Sequence, residues 1–414
     1  MAAPPRTIMS SARTAAGVGP VPGQERIDAI DVLRGVAILG ILIVNMGLFN
    51  HAEDLPAHGV VDRIILFVAQ EKFKTLFSLL FGLGLAVQML RAEARGARFL
   101  PLYARRLAVL FLIGIAHSLL VWDGDILHDY AQLGVLLLPF RHRSARALLL
   151  SAALLFAIPV VFYGLTTYSA ITGHTSPAVQ KWVGYEEGED GQDSMDDMRR
   201  IYSRGTYGEQ VALRARELPR DLMPDSDDAF ILAMFLLGLL AGRRKIFHDV
   251  AANRGLLRRV QRWGFLIGIV GNAAFAIGGS FDPDPDSVVQ NVGRLCLVFG
   301  APALTLWFAS TIALVTQDET WRRRLAPLAA VGRMALSNYL LQSLVCTAIF
   351  YSFGFELFGR VSAALGLLLT VAIFLIQIPL SVWWLRRFRF GPVEWLWRSL
   401  TYWQRQPMRV SGRP

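Results

Sequence analysis

The sequence predicts an all-α membrane protein, a polytopic bundle of about ten transmembrane helices. Of its 414 residues, 54% are hydrophobic and 18% are charged, which is more apolar surface than the core of a soluble protein of this length would use. The apolar residues form runs that suit a hydrocarbon core about 30 Å thick. Basic and acidic loops alternate between the runs, as expected of a chain that crosses a bilayer repeatedly.

Ten apolar runs are the predicted spans. In chain order they cover residues 31–50, 62–90, 107–122, 126–140, 147–168, 228–241, 263–280, 291–316, 329–352 and 362–385. Residues 126–140 and 228–241 are short for a full crossing, so these two spans are expected to be tilted, re-entrant or buried in the bundle.

The loop charges predict the orientation of the chain. Basic residues gather in alternate loops, such as Arg141–Arg143 and Arg322–Arg324, and acids gather in the intervening loops, such as Asp123–Asp125 and Glu186–Asp197. By the positive-inside rule both termini are cytoplasmic. The net charge of +10 therefore reports orientation in a lipid bilayer, and no nucleic-acid partner is predicted.

The chain divides into four parts. Residues 1–25 are rich in Ala, Pro and Gly and lack the apolar core of a signal peptide, so they are expected to be a disordered cytoplasmic tail. Residues 26–168 form the first transmembrane half and carry the candidate active site. Residues 169–227 form an extracytoplasmic loop, either a lid or a solvated linker. Residues 228–414 form the second half, which ends in an interfacial helix rich in Trp and Arg.

Several kinds of site are not indicated. Cys296 and Cys346 both lie in apolar runs, so they are expected to be packing residues and not a disulfide. No two histidines have the spacing of metal ligands, so no metal site is predicted. The chain also has no phosphate-binding Gly-rich loop and no Gly-x-Ser-x-Gly elbow.

The first span carries polar groups at both ends. Asp28, Asp31 and Arg34 lie where the apolar run begins, and ten residues separate Arg34 from Asn45. At 1.5 Å per residue the two are about 16 Å apart along the axis. A plain membrane anchor has no use for this arrangement.

The second span contains Glu71, Lys72 and Lys74. Glu71 and Lys74 are three residues apart and can pair on a helix, whereas Lys72 faces elsewhere and needs a partner or a water-filled cavity. These residues are either substrate-binding groups or part of a kinked entry at the outer interface with snorkelling lysines.

His117 is the candidate general base. It lies in an apolar run, and Gly124 allows the chain to turn so that Asp123 or Asp125 folds back towards the imidazole. A carboxylate that orients one imidazole nitrogen leaves the other available as a base. The alternative is a buried histidine that only hydrogen-bonds for helix packing. Arg294 and Arg333 either line the same cavity or mark membrane interfaces, and the interface placement is the one expected.

Five sequence blocks resemble the YeiB family of bacterial inner-membrane proteins, which is also described as domain of unknown function 418. They are residues 26–42, 72–82, 122–130, 332–342 and 391–398. The resemblance covers nearly the whole chain except the N-terminal tail and residues 169–227, and it implies a multi-pass protein of the bacterial inner (plasma) membrane.

A more distant resemblance implies a chemistry. The pattern of Arg34, ten residues and Asn45 is similar to the first-helix motif of heparan-alpha-glucosaminide N-acetyltransferase, and acyltransferases of the acyltransferase-3 kind show Arg, ten residues and His. These enzymes move acyl groups from cytoplasmic acyl-CoA to an acceptor at or beyond the membrane. In the acetyltransferase a catalytic His follows the Asn by eleven residues. Pro56 occupies that position here, and the flanking His51 and His58 are candidates for the base alongside His117.

The leading hypothesis is therefore a transmembrane acyltransferase. His117 is the base, oriented by Asp125 with Asp123 as the second carboxylate of the turn, and Asn45 donates to the oxyanion. Acyl-CoA, such as acetyl-CoA, is expected as a co-substrate and not as a tightly bound cofactor. The groups expected to attract its phosphates are Arg34, Arg105 and Arg106.

The acceptor is expected to meet Glu71, Lys72 and Lys74. It could be a glycan, a lipid head group or a small metabolite. Two other functions stay open: a transporter or exporter of a small polar or amphipathic molecule, and a non-catalytic scaffold whose polar groups hold helices together. The sequence does not indicate an oligomeric state.

Overall fold

The computed structural model describes residues 28–50, 59–96, 98–174, 191–224, 226–281 and 287–410. The predicted tail and the region of His51, Pro56 and His58 lie outside these residues. The described part contains fifteen α-helices, which are α1 (Asp28–Asn50), α2 (Val60–Val68), α3 (Lys72–Ala94), α4 (Phe99–Leu120), α5 (Leu127–Leu136), α6 (Ala145–Thr172), α7 (Gly191–Arg204), α8 (Tyr207–Asp221), α9 (Ser226–Arg243), α10 (Arg254–Phe281), α11 (Val288–Val315), α12 (Glu319–Arg333), α13 (Ala335–Phe350), α14 (Ala363–Arg387) and α15 (Pro392–Tyr402).

The all-helical prediction is confirmed. Seven described helical stretches are long and apolar enough to cross a membrane. They are α1, α2 with α3, α4, α6, α10, α11 and α14. The other three predicted spans correspond to α5 with 10 residues, α13 with 16, and α9, whose 18 residues include two acids and an arginine. The protein is thus a multi-pass helical bundle, while the number of crossings and the side of each terminus stay predictions.

The second predicted span is interrupted. Helix α2 ends at Val68 and α3 begins at Lys72, with Glu71 in the left-handed region at φ 66°. The Lys72 amine closes the break by donating to the carbonyls of Leu66 (3.1 Å) and Gln70 (2.8 Å). A kink was among the predicted alternatives, and its place relative to the outer interface stays a prediction.

The break lies deep in the bundle. The Phe73 ring packs against Gly40, near the middle of α1, so closely that a Cβ atom at Gly40 would overlap with the ring. Glu71 and Lys74 therefore lie near mid-depth along α1, where a charged group needs a partner or a polar cavity.

Helix α1 is central because it contacts α3, α11, α12, α13 and α14. Its closest crossing is with α12, where a Cβ atom at Gly332 would overlap with the Asp31 carbonyl oxygen and one at Gly35 with the Leu328 carbonyl oxygen. Small residues allow such close backbone approach between membrane helices. This crossing places Arg34 beside the end of α12.

Helices α7 and α8 pack over the end of α4. The Tyr207 hydroxyl donates to the Leu120 carbonyl at 2.7 Å, and the Arg214 guanidinium donates to the Val121 carbonyl at 2.7 Å. Arg214 is buried. Over residues 191–224 these contacts favour a docked segment over a solvated linker, and its role as a lid stays a prediction.

Candidate active site

His117 and Asp125 form a buried pair. The chain turns back after α4 ends, which brings Asp125 Oδ2 to 2.6 Å from His117 Nδ1. The other carboxylate oxygen accepts hydrogen bonds from the backbone amides of Leu127 (2.7 Å) and His128 (3.2 Å). His117 and Asp125 are only 4% and 5% exposed. The carboxylate is thus fixed by the start of α5 and itself fixes the imidazole.

The second imidazole nitrogen is left for a ligand. His117 Nε2 is buried, and the described residues provide it with no hydrogen-bond partner. The His117 ring packs on Tyr339 of α13, with 5.4 Å between the ring centroids. Because Asp125 engages Nδ1, Nε2 is the atom that can exchange a proton with a substrate.

Asp123 does not share this role. Its Oδ2 accepts a hydrogen bond from the Tyr202 hydroxyl of α7 at 3.0 Å. Nearby, burial and the Asp123 carboxylate raise the pKa of Asp221, the last residue of α8, to about 6. Of the two acids in the predicted turn, Asp125 therefore orients the histidine and Asp123 anchors the docked helices.

A cavity of about 180 Å³ lies beside the Arg34 end of α1, and we call it the basic cavity. Four guanidinium-bearing residues line it: Arg34, Arg106, Arg333 and Arg398. Arg34 is paired with Asp31 at 3.2 Å, and the Arg106 guanidinium stacks 3.7 Å from the ring centroid of Trp397. Guanidinium groups in such numbers suit a phosphate-bearing ligand.

The predicted cationic residues do not all lie in the basic cavity. Arg105 is not among the described residues that line either cavity, and its Nε donates to the Pro101 carbonyl at 3.2 Å. Arg333 and Arg398 were expected at interfaces, yet both line the basic cavity. Spacing within one helix could not reveal them, because α12 and α15 reach this place only through the tertiary fold.

A second cavity, of about 900 Å³, lies beside the Asn45 end of α1, and we call it the large cavity. Its lining is mostly apolar. The polar and charged side chains that face it include Asn45, Asp62, Gln70, Glu71 and Lys74. The predicted Glu71–Lys74 pair is present at 2.8 Å, whereas Lys72 is not among the described lining residues because its amine is held by the two carbonyls of the helix break.

Three residues separate the two cavities. Ile41, Ile126 and Tyr339 line both of them. Arg34, Ile41 and Asn45 recur at helical spacing and so share one face of α1. That face contributes one residue to the basic cavity, one to the partition and one to the large cavity.

Tyr339 is the main residue that the sequence analysis missed as part of the site. The run of polar residues around it was the available indication, since Asn338 and Gln342 are buried in an apolar helix. They hydrogen-bond to Ser381 (3.1 Å) and Gln377 (2.8 Å) of α14. This polar layer fixes α13 and therefore the position of Tyr339 beside His117.

Comparison with known proteins divides the chain into two matched regions. Residues 26–185 match the family described as heparan-alpha-glucosaminide N-acetyltransferase, catalytic. Residues 241–404 match the family described as protein of unknown function (DUF418). The His117–Asp125 pair and Asn45 fall in the first region, and Tyr339 and Arg398 fall in the second.

Full-length relatives are also similar to this chain. The uncharacterized protein YxaH of Bacillus subtilis (strain 168) is 37% identical over 94% of this chain and 97% of its own length. The uncharacterized protein YeiB of Escherichia coli (strain K12) is 31% identical over 91% of this chain and 96% of its own length. The chain therefore belongs to the YeiB-like family of multi-pass membrane proteins, which is distantly similar to heparan-alpha-glucosaminide N-acetyltransferase.

Proposed function

We propose that this protein is a membrane acyltransferase that moves an acyl group from acyl-CoA to an acceptor at or beyond the membrane. The observation that carries the proposal is the buried His117–Asp125 pair, whose free nitrogen Nε2 lies beside the residue that separates two cavities. The pair belongs to the region that matches an acetyltransferase catalytic family.

His117 supplies acid–base chemistry in this proposal. Its Nε2 accepts the proton of an acceptor hydroxyl or amine while the acceptor oxygen or nitrogen bonds to the thioester carbonyl carbon. The carbon–sulfur bond then breaks, and the imidazolium returns the proton to the CoA thiolate. The Asp125 carboxylate stabilises the imidazolium. Asn45 is the amide that donates to the developing oxyanion.

The basic cavity is the proposed entry for the donor. Its four arginines match the phosphates of acyl-CoA, and the positive-inside rule places them at the cytoplasmic face of the bacterial inner membrane. Tyr339 lies between the imidazole and both cavities, so the acceptor proton reaches Nε2 only if this ring moves or if its hydroxyl relays the proton.

The test is acyl-CoA turnover in nanodiscs that contain the purified protein and a lipid extract of the source membrane. We expect release of CoA thiol from acetyl-CoA or longer acyl-CoAs, and a rate about 10²- to 10⁴-fold lower in His117→Gln, the usual contribution of a general base.

His128→Gln is the matched control, because His128 is also buried and its ring nitrogen Nδ1 lies 2.9 Å from the Asp129 carboxylate, whereas Asp125 Oδ1 meets only the backbone amide of His128, which this change keeps. It should keep the wild-type rate. Acyl-CoA that neither binds nor turns over, or a His117→Gln variant with full activity, would contradict the proposal.

A further inference from the structure

We infer that the large cavity binds an amphipathic acceptor, a long alkyl chain that ends in a hydroxyl or amine, and that this molecule enters sideways from the bilayer. That this molecule accepts the acyl group rests on the proposed function. The binding site itself rests on the lining of the cavity and can be tested without any acyl donor.

Among the described residues, the mouth of the cavity is mainly apolar. Leu48 and Val60 both line it and are 49% and 68% exposed. Helix α2, which forms one side, is apolar but buries none of its residues, and Ile64 and Val68 are also exposed. An opening into water would be rimmed by polar residues, whereas an opening framed by exposed aliphatic side chains in a membrane helix faces lipid chains.

One ion pair of the lining, Glu71 with Lys74, lies at the opposite, deep end of the cavity. Glu71 and Lys74 sit at the helix break, level with the middle of α1, because Phe73 between them packs on Gly40. Ile41, the next residue of α1, belongs to the partition that borders His117 through Tyr339. A ligand with its chain at the mouth would therefore hold its head group close to the proposed reacting atoms.

The charge at the deep end selects the head group. At this deep end Glu71 is the acid of the lining and Lys74 is the cation. Lys74 is shared between Glu71 (2.8 Å) and Asp227 of α9 (2.7 Å), and the Lys72 amine is turned to the carbonyls of the helix break, so two carboxylates share one amine at this end of the cavity. A phosphate or carboxylate head group would be repelled there, while a hydroxyl or an ammonium can bind to the Glu71 carboxylate.

The experiment uses three photoreactive probes with the same diazirine-bearing C16 chain: an alkylamine, an alcohol and an alkyl phosphate. Each is added to nanodiscs that hold the full-length protein without acyl-CoA, and cross-linked residues are mapped by mass spectrometry. We expect the amine and the alcohol to label residues of the large cavity, and the phosphate to label them about tenfold less, the effect of one charge-assisted hydrogen bond.

Two variants test the site against their own controls. Ala364→Trp should fill the mouth and abolish labelling, whereas Leu365→Trp, at a neighbouring exposed position that does not line the cavity, should leave it unchanged. Glu71→Gln should remove the preference of amine over phosphate, whereas Glu319→Gln, on the exposed start of α12, should retain it.

The result separates this inference from the proposed function. If the cavity is labelled but the protein never turns over acyl-CoA, the inferred binding site stands and the proposed acyltransferase function is rejected. Equal labelling by all three probes, labelling unaffected by Ala364→Trp, or thiol release that depends only on a water-soluble acceptor would overturn the inference.

Discussion

At the scale of single residues, two acids that lie two positions apart in the chain have different hydrogen-bond partners. Asp125 turns inward to His117, and Asp123 accepts a hydrogen bond from Tyr202. The leading hypothesis gave the orienting role to Asp125, although the spacing alone put both carboxylates within reach of the histidine. The choice depends on backbone amides at the start of α5 and on a tyrosine that is 79 positions away in the chain.

Exchanging each acid for its amide separates the two roles. Asp125→Asn leaves the imidazole without an anionic partner, so kcat for thiol release should fall about 10²- to 10⁴-fold while acyl-CoA binding is retained. Asp123→Asn should keep the wild-type kcat. Both variants are compared by turnover, acyl-CoA binding and melting in detergent. Equal kcat values for the two variants would mean that Asp125 does not orient the base.

At the scale of helices, periodicity explains much of the site. Arg34 with Asn45 on α1 and Arg106 with His117 on α4 show the same spacing, and Arg34 and Arg106 meet in the basic cavity. Their helices were predictable because each pattern is local. The cap of α13 was not, since the Glu394 carboxylate of α15 accepts from the backbone amides of Leu336 (2.7 Å) and Ser337 (3.0 Å), which lie far from it in the sequence.

The crossing of α1 and α12 should depend on Gly332. Adding one methyl group there forces the two backbones apart, so Gly332→Ala should destabilise the protein by about 1–3 kcal/mol, the usual cost of overpacking. Gly164→Ala on α6 is the control, because a Cβ atom there meets nothing within 4 Å. That change should be neutral or stabilising by up to about 1 kcal/mol. Melting in detergent measures both, and equal melting temperatures would argue against a tight crossing.

Docking of α7 and α8 should weaken as the pH rises. The pKa of Asp221 is raised to about 6 in the folded protein, above about 3.9 in an unfolded chain. The stability that protonated Asp221 gives to the docked helices is therefore full below pH 4. It is lost as the pH rises through 6, because the Asp221 side chain then becomes charged near the Asp123 carboxylate.

Limited proteolysis of α7 and α8 measures this change. Cleavage should increase between pH 4 and pH 6.5, and Asp221→Asn should make it less dependent on pH. Asp197→Asn serves as the control, because the half-exposed Asp197 side chain forms an ion pair with Arg200 of the same helix at 3.1 Å. This variant should behave as the wild type. A cleavage rate that falls with pH in the wild type would contradict the assigned direction.

At the scale of the whole molecule, composition predicted the fold class because a bilayer demands long apolar helices, and the helices confirm it. Composition could not determine how many of the helices cross the membrane. Helices α5, α9 and α13 are short or charged and so depart from the pattern of a simple lipid-facing span. Helices α5 and α13 line the basic cavity, and α9 reaches α3 through the Asp227–Lys74 pair. Whether these three helices cross the membrane therefore decides the topology.

The parity of the crossings decides the topology. Ten crossings place both termini on the cytoplasmic side, whereas seven would place them on opposite sides. In a background with Cys296 and Cys346 replaced by Ala, single cysteines are introduced by Ser11→Cys, Arg200→Cys and Gln404→Cys. In intact cells a membrane-impermeant maleimide should label only position 200, since the positive-inside rule puts α7 outside. Positions 11 and 404 should react only after the membrane is opened. Labelling of just one of these two in intact cells would require an odd number of crossings, and the basic and large cavities would then need to be reassigned to the two faces of the membrane.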